Sequence, residues 1–250
     1  MQLKSRTAFH NTLYLAVSLF VLAMIPAVAA FAQKGPRPCD LFASTTPCVA
    51  AISTTRTLYS SYAGPLYQVT RQSDKGHADI GLLADGYANA AMQDKFCAGT
   101  ACTITKLYDQ SPNHNDLTPA PPGGAAKGPG TGGYDIPAVA DSLPATIAGH
   151  KVYGIAITPG MGYRNDTPKQ TAVKGQPEGV YMVTSALHLN EKCCFDFGNA
   201  ETNDLDNKEG HMDAINIMYR EKTGQPDAGL IWRTGSTVTS KFPRTLPLLP

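Results

Sequence analysis

The chain has 250 residues, 42% of them hydrophobic and 16% charged, and carries a net charge of +1. That length supports one good-sized core rather than two large domains, and the near-neutral balance leaves no electrostatic footprint for nucleic acid or for an acidic partner. Glycine (23) and proline (19) are plentiful, which points to an extracellular, loop-rich β protein and away from a helical one.

Taken in chain order, the N-terminus reads as an export signal. Lys4 and Arg6 supply a positive start, Leu13 to Ile25 is an apolar run broken by Pro26, and Ala30-Phe31-Ala32 is a small-x-small cleavage site. The expected signal peptide is residues 1–32, with the mature chain starting near Gln33. The alternative is a membrane anchor, but the apolar run is short for a span. The expected location is therefore secreted, extracellular or periplasmic, with no membrane attachment after cleavage.

Export permits disulfides. Six cysteines are present: Cys39, Cys48, Cys97, Cys102, Cys193 and Cys194. Spacing leaves two schemes open. In one, Cys39 pairs with Cys48 across a small polar loop and Cys97 with Cys102 across a turn-like Ala98-Gly99-Thr100-Ala101, so that Cys193 and Cys194 bond to each other through a small strained ring. In the other, the adjacent cysteines bridge back to the N-terminal ones.

The spacing of Val49, Ile52, Arg56 and Tyr59 predicts a short helix within Val49 to Tyr62, ended by Gly64-Pro65. Leu66 to Arg71 and Cys102 to Tyr108 read as strands, and Ala84 to Phe96 as a second short helix capped by Asp85. Pro119 to Gly133 is a Pro/Gly-rich loop. Lys151 to Thr158, Gly179 to Ala186 and Asp213 to Tyr219 read as further strands. The fold class is all-β with small helical decorations, most simply a β-sandwich.

Several clusters invite chemistry. Asp109, Asn113, Asn115 and Asp116 resemble a calcium loop in composition, yet their spacing fits no EF-hand and Asx-rich turns brace their own backbone, so a structural turn is expected. Glu201, Asp204, Asp206, Glu209 and Asp213 form an acidic run. Glycoside hydrolysis needs two carboxylates across one sugar, but acidic residues between Gly/Asn turns are ordinarily solvated. His211 has no second His or Cys at metal spacing, so neither metal nor cofactor is expected. Asn165-Asp166-Thr167, followed by Pro168, is a formal N-glycosylation acceptor that matters in a eukaryotic host. Around the double cysteine, Phe195, Asp196, Phe197, Asn199 and Glu201 offer flat apolar surfaces and polar groups of the kind that suit a sugar.

Together these residues carry a resemblance. Pro38-Cys39-Asp40, Pro47-Cys48-Val49-Ala50-Ala51, Ser53-Thr54-Thr55-Arg56, Tyr108-Asp109-Gln110-Ser111, Gly162-Tyr163-Arg164-Asn165, Cys193-Cys194-Phe195-Asp196-Phe197-Gly198-Asn199-Ala200-Glu201-Thr202 and Gly210-His211-Met212-Asp213-Ala214-Ile215 occur in order. The segment from about Pro38 to Ile217 resembles the catalytic domain of α-L-arabinofuranosidase B, glycoside hydrolase family 54. The resemblance implies a concanavalin-like glycosidase sandwich, and a retaining hydrolase that releases terminal arabinofuranose from arabinan or arabinoxylan. It implies the local disulfides Cys39–Cys48, Cys97–Cys102 and Cys193–Cys194. It also implies that Cys193 and Cys194 pack against the furanose ring, with Met212 in the same pocket wall. The implied partner is an arabinose-containing polysaccharide or oligosaccharide.

The resemblance also implies a glutamate nucleophile in an Asp-x-Glu-Asn motif and a later aspartate acid/base. No Asp-x-Glu-Asn occurs in the 250 residues, so no catalytic residue is assigned. The expected organisation is a partial catalytic sandwich over 33–217 and a non-family tail over 218–250. A permitted coding of Leu230-Ile231-Trp232-Arg233-Thr234-Gly235, read one base out of frame, spells Asp-Leu-Glu-Asn-Gly. This motivates the expectation of a frame shift after about Ile217 and of an inactive polypeptide. The alternative is a non-catalytic arabinose-binding or structural secreted module.

Overall fold

The computed structural model describes residues 35–42, 46–123, 127–173, 176–184, 195–200, 202, 212–220 and 225–233. The expected signal peptide, Cys193, Cys194, Glu201, Asp204, Asp206, Glu209 and His211 lie outside the described residues.

The best-packed part is a three-stranded antiparallel sheet. Strand β1 (Tyr67–Arg71) lies between β2 (His77–Ile80) and β3 (Cys102–Leu107). Alternation decides which side chains go inward: Tyr67 and Val69 are buried while Gln68 and Thr70 are only half-buried. The β1–β3 register shifts between Gln68 and Val69, so that Gln68 faces Lys106 and Val69 faces Ile104. This bulge leaves Thr105 as the extra residue and puts both Ile104 and Leu107 on the buried side. Leu66, Ile80, Ala88, Ala140 and Val152 complete the core. Each of its larger side chains contributes about 1.5–3 kcal/mol on burial.

A single α-helix, α1 (Ala90–Phe96), covers this sheet's edge; it is the one α-helix among the described residues. Its Gln93 side chain is buried, accepting from the Tyr67 hydroxyl at 2.6 Å and donating to the Ala140 carbonyl at 2.9 Å. Cys97, at the C-terminal end of α1, is bonded to Cys102 at the start of β3, and Cys39 is bonded to Cys48. Both local disulfides are therefore present. The Cys97–Cys102 link closes a loop of sequence separation 5, which is worth about 2 kcal/mol in chain entropy.

Shorter pairs follow. Strand β4 (Thr118–Pro119) pairs with β7 (Tyr163–Arg164), and β5 (Pro144–Ile147) forms a hairpin with β6 (His150–Tyr153). The hairpin turn is Ala148-Gly149, with φ of 49° and 82°. Positive φ at both turn residues is the handedness that matches the twist of paired strands. A second three-stranded sheet runs β8 (Phe195–Ala200), β9 (Met212–Arg220) and β10 (Gln225–Arg233), with β9 central. Among the described residues no helix is long and apolar enough to cross a membrane.

Four sequence expectations need correction. Residues 49–62 form no helix: Ile52 bridges Asp109 and Arg56 bridges Tyr87, while Leu58 N–H donates to the Gln110 side chain at 2.6 Å. These pairings with distant segments use the backbone groups a helix would need. Helix α1 begins at Ala90, with Asn89 as cap, and not at Ala84 with Asp85. The segment before it is held in bridges instead, with Thr57 N–H donating to Gly86 and Ala88 N–H to Thr55. The strand expected over Lys151–Thr158 is limited to His150–Tyr153, and residues 179–184 form no strand. Strand β9 runs through Ile217-Met218 and pairs with β10 over its full length.

Candidate functional site

The sequence pointed to two places, the Asx-rich turn after β3 and the segments around Phe195–Ala200 and Met212–Ile215. The turn is a structural hub. Asp109 is fully buried. Its Oδ1 accepts from Ala51 N–H at 2.6 Å and Ser111 N–H at 2.9 Å. Its Oδ2 accepts from the Ser111 hydroxyl at 2.5 Å and Asn115 N–H at 2.7 Å. Asn115 donates to the carbonyls of Val49 and Lys169, both at 2.9 Å, and accepts from Lys169 N–H at 2.8 Å. Asp116 accepts from Asp109 N–H at 2.9 Å and pairs with Lys106 at 2.7 Å. Three backbone segments, 49–51, 109–116 and the one at Lys169, are thus tied by acidic and amide side chains. The expected structural turn is what this geometry performs.

The second place lies on the β8–β9–β10 sheet. Phe195, which follows Cys194 in sequence, opens β8 opposite Ile217. Met212 opens β9 opposite Ala200 and Arg233. Met212 and Phe195 therefore stand at opposite ends of the β8–β9 pairing. Gly198 faces Ala214 across that pair, and a Cβ at Gly198 would come within 2.7 Å of the Ala214 Cβ. Only glycine permits this strand approach.

Next to it lies a carboxyl pair that sequence reading missed. Asn199 on β8 donates to the Ala172 carbonyl at 2.7 Å and reaches Glu178 Oε2 at 3.4 Å. Glu178 Oε1 and Asp213 Oδ1 are both buried without a donor. Burial first, and then the neighbouring Asp213 charge, push the Glu178 carboxyl above its usual range, against the opposing Asn199 hydrogen bond. A proton on Glu178 supplies the donor that two ionised carboxylates lack. The Asn199 contacts anchor the 172–178 segment to β8. Glu178 sits in Gln176-Pro177-Glu178-Gly179, outside every segment the sequence singled out. Its distance from Asp213 along the chain gave no pattern from which to find it.

Elsewhere the Gly162-Tyr163-Arg164-Asn165 segment is fastened to the core sheet. Tyr163 donates to the Ile104 carbonyl at 2.6 Å and accepts from Ala138 N–H at 2.8 Å, and burial raises its hydroxyl to about 12. Asn165 and the residues beside it line a cleft of about 340 Å³.

Comparison with known proteins gives this arrangement its context. The family described as "Alpha-L-arabinofuranosidase B, catalytic" matches residues 38–232, a span that passes Ile217. A probable α-L-arabinofuranosidase B of Aspergillus fumigatus is 52% identical over 221 residues, covering 88% of this chain and 41% of that protein. A probable α-L-arabinofuranosidase B of Aspergillus terreus is 57% identical over 201 residues, covering 80% of this chain and 38% of that protein. The chain thus spans about two fifths of these relatives. Among solved structures, an arabinofuranosidase complexed with arabinofuranosyl-α-1,2-xylobiose matches with a TM-score of 0.71 at 51% identity, over 73% of this chain and 38% of that one. A family 54 α-L-arabinofuranosidase soaked with a cyclic sulfate inhibitor matches with a TM-score of 0.74 at 48% identity, over 78% and 42% of the two chains. The mostly-strand architecture is that of the β-sandwich these enzymes share. On the family match and these identities, the chain belongs to the α-L-arabinofuranosidase B catalytic family, glycoside hydrolase family 54.

Proposed function

We propose that this is a secreted α-L-arabinofuranosidase-family protein that takes terminal arabinofuranosyl groups of arabinan or arabinoxylan, the parent activity being retaining hydrolysis. The observation that carries this reading is identity above one half to α-L-arabinofuranosidases over most of the chain. The substrate-facing residues proposed are Cys193, Cys194 and Met212. Cys193 and Cys194 form a disulfide whose sulfurs pack on the furanose ring.

The polypeptide written by these 250 residues binds arabinofuranose with little or no turnover. A retaining glycosidase without its nucleophile cannot form the covalent intermediate, and no Asp-x-Glu-Asn occurs here. A shifted reading frame after about Ile217 is the proposed origin of that absence, and the nucleotide sequence tests it directly. If the alternative frame does not spell Asp-x-Glu-Asn at the codons of Leu230 to Gly235, the frame-shift reading is wrong.

Two measurements on the purified chain separate the possibilities. Calorimetry with an arabinofuranosylated xylo-oligosaccharide should show binding that is lost on Cys193→Ala with Cys194→Ala. Release of the aryl group from 4-nitrophenyl α-L-arabinofuranoside should stay near the uncatalysed rate. Turnover at rates ordinary for glycosidases would overturn the inactivity. Absence of binding together with absence of turnover would favour a structural secreted module.

A further inference from the structure

We propose that Asn165 is an N-linked glycosylation site, modified during export by transfer of an oligosaccharide from a polyprenyl-pyrophosphate carrier; this rests on the export reading above. Asn165-Asp166-Thr167 is the single Asn-x-Ser/Thr sequence in the 250 residues. The relatives described above come from filamentous fungi, eukaryotes in which such a sequon has meaning.

The folded geometry accommodates the modified side chain. Asn165 Oδ1 accepts from Thr167 N–H at 2.8 Å and from the Thr167 hydroxyl at 3.3 Å. The amide oxygen is thereby held by the two groups of the sequon threonine. The nitrogen Nδ2, the atom that carries a glycan, has no partner among the described residues. The middle residue does not compete for it, because the Asp166 carboxylate is paired with Arg164 at 2.5 Å. Thr167 is exposed, and Asn165 opens onto the cleft of about 340 Å³.

The same cleft is also lined by Pro119, Pro121 and Tyr134, the last 48% exposed. These are the flat apolar faces on which the C–H side of a sugar packs. A glycan on Asn165 would lie over this cleft, whose lining includes no residue of the buried core cluster.

The chemistry balances without any redox partner. The Nδ2–C1 bond forms and Nδ2 gives up one proton. The C1–O bond to the carrier breaks, and the polyprenyl pyrophosphate leaves with the bonding electron pair.

The test is translation of the full chain in the presence of endoplasmic-reticulum microsomes, followed by protease protection and endoglycosidase digestion. The protected chain should carry one endoglycosidase-sensitive mass increase, mapped to Asn165 by peptide mass spectrometry. Thr167→Ala and Asn165→Gln should abolish it, and Thr167→Ser should retain it. Because transfer acts on the emerging chain, a variant that folds poorly still reports. A protected chain without the glycan overturns the proposal and leaves the export reading standing. A chain that stays protease-sensitive throughout overturns the export reading and the proposal with it.

Discussion

Single side chains hold unusual weight here because loops, rather than long elements, carry much of the backbone. Asp109 is the clearest case. Its two oxygens accept four hydrogen bonds from Ala51, Ser111 and Asn115. Asp109→Asn keeps the shape but turns an NH2 group toward buried donors. A loss of roughly 3 kcal/mol in urea unfolding is expected, and a loss under roughly 1 kcal/mol would show that water or relaxation satisfies the site. Glu178 acts through its proton. Its folded carboxyl is raised by burial and by Asp213, so the folded chain binds that proton more tightly than the unfolded chain does. Its contribution is therefore fullest below the unfolded value and is lost as pH rises through the raised folded one. Glu178→Gln should flatten this fall in urea midpoints as pH rises above the ordinary glutamate range. An unchanged slope would remove Glu178 as its source.

At the scale of elements, tertiary partners decide where helices and strands begin. Asp94 on α1 accepts from Lys151 at 2.7 Å and from the Tyr153 hydroxyl at 2.6 Å on β6, so the helix and the hairpin brace one another. The hairpin itself turns on Ala148 at φ 49°, a left-handed conformation that a β-carbon disfavours. Ala148 is exposed. Ala148→Asn should raise stability by about 0.5–1 kcal/mol, since asparagine tolerates this conformation. A thermal midpoint that falls would mean the turn does not keep this geometry in solution. Sequence reading foresaw β6 but not its partner β5, because Ala-Gly is not a recognisable hairpin turn and Pro144 argues against a strand.

For the molecule as a whole, the firmest region is the β2–β1–β3 sheet with α1 and the side chains packed on it. β1 is central, and Leu66, Tyr67 and Val69 are fully buried. Amide exchange should therefore be slowest in Tyr67, Val69 and Ile104, where opening requires the core to separate. If residues 144–153 exchange more slowly than residues 66–71, the stability is distributed differently from the packing. The β8–β9–β10 sheet, which carries Met212, is a separate sheet. The spans are continuous in family membership, since the match runs from residue 38 to residue 232.

The ordered motifs around Cys39, Asp109, Tyr163 and Cys193-Cys194 were enough to name the family, because residue identity alone carries that resemblance. Strands β1, β3 and β9 were legible for a physical reason: period-two burial writes itself into the order of apolar and polar residues. The helix expected near Val49 and the early start expected for α1 were not legible correctly. Their backbone groups are claimed by Asp109, Gln110 and the 55–58 segment, partners that no local spacing reveals. The same holds for Glu178, whose carboxyl is raised by burial and by Asp213, a residue from a distant part of the chain. Sequence by itself determined the family and the alternating strands. Only the tertiary structure decided which polar groups meet, because burial and hydrogen-bond completion are satisfied between segments and not within them.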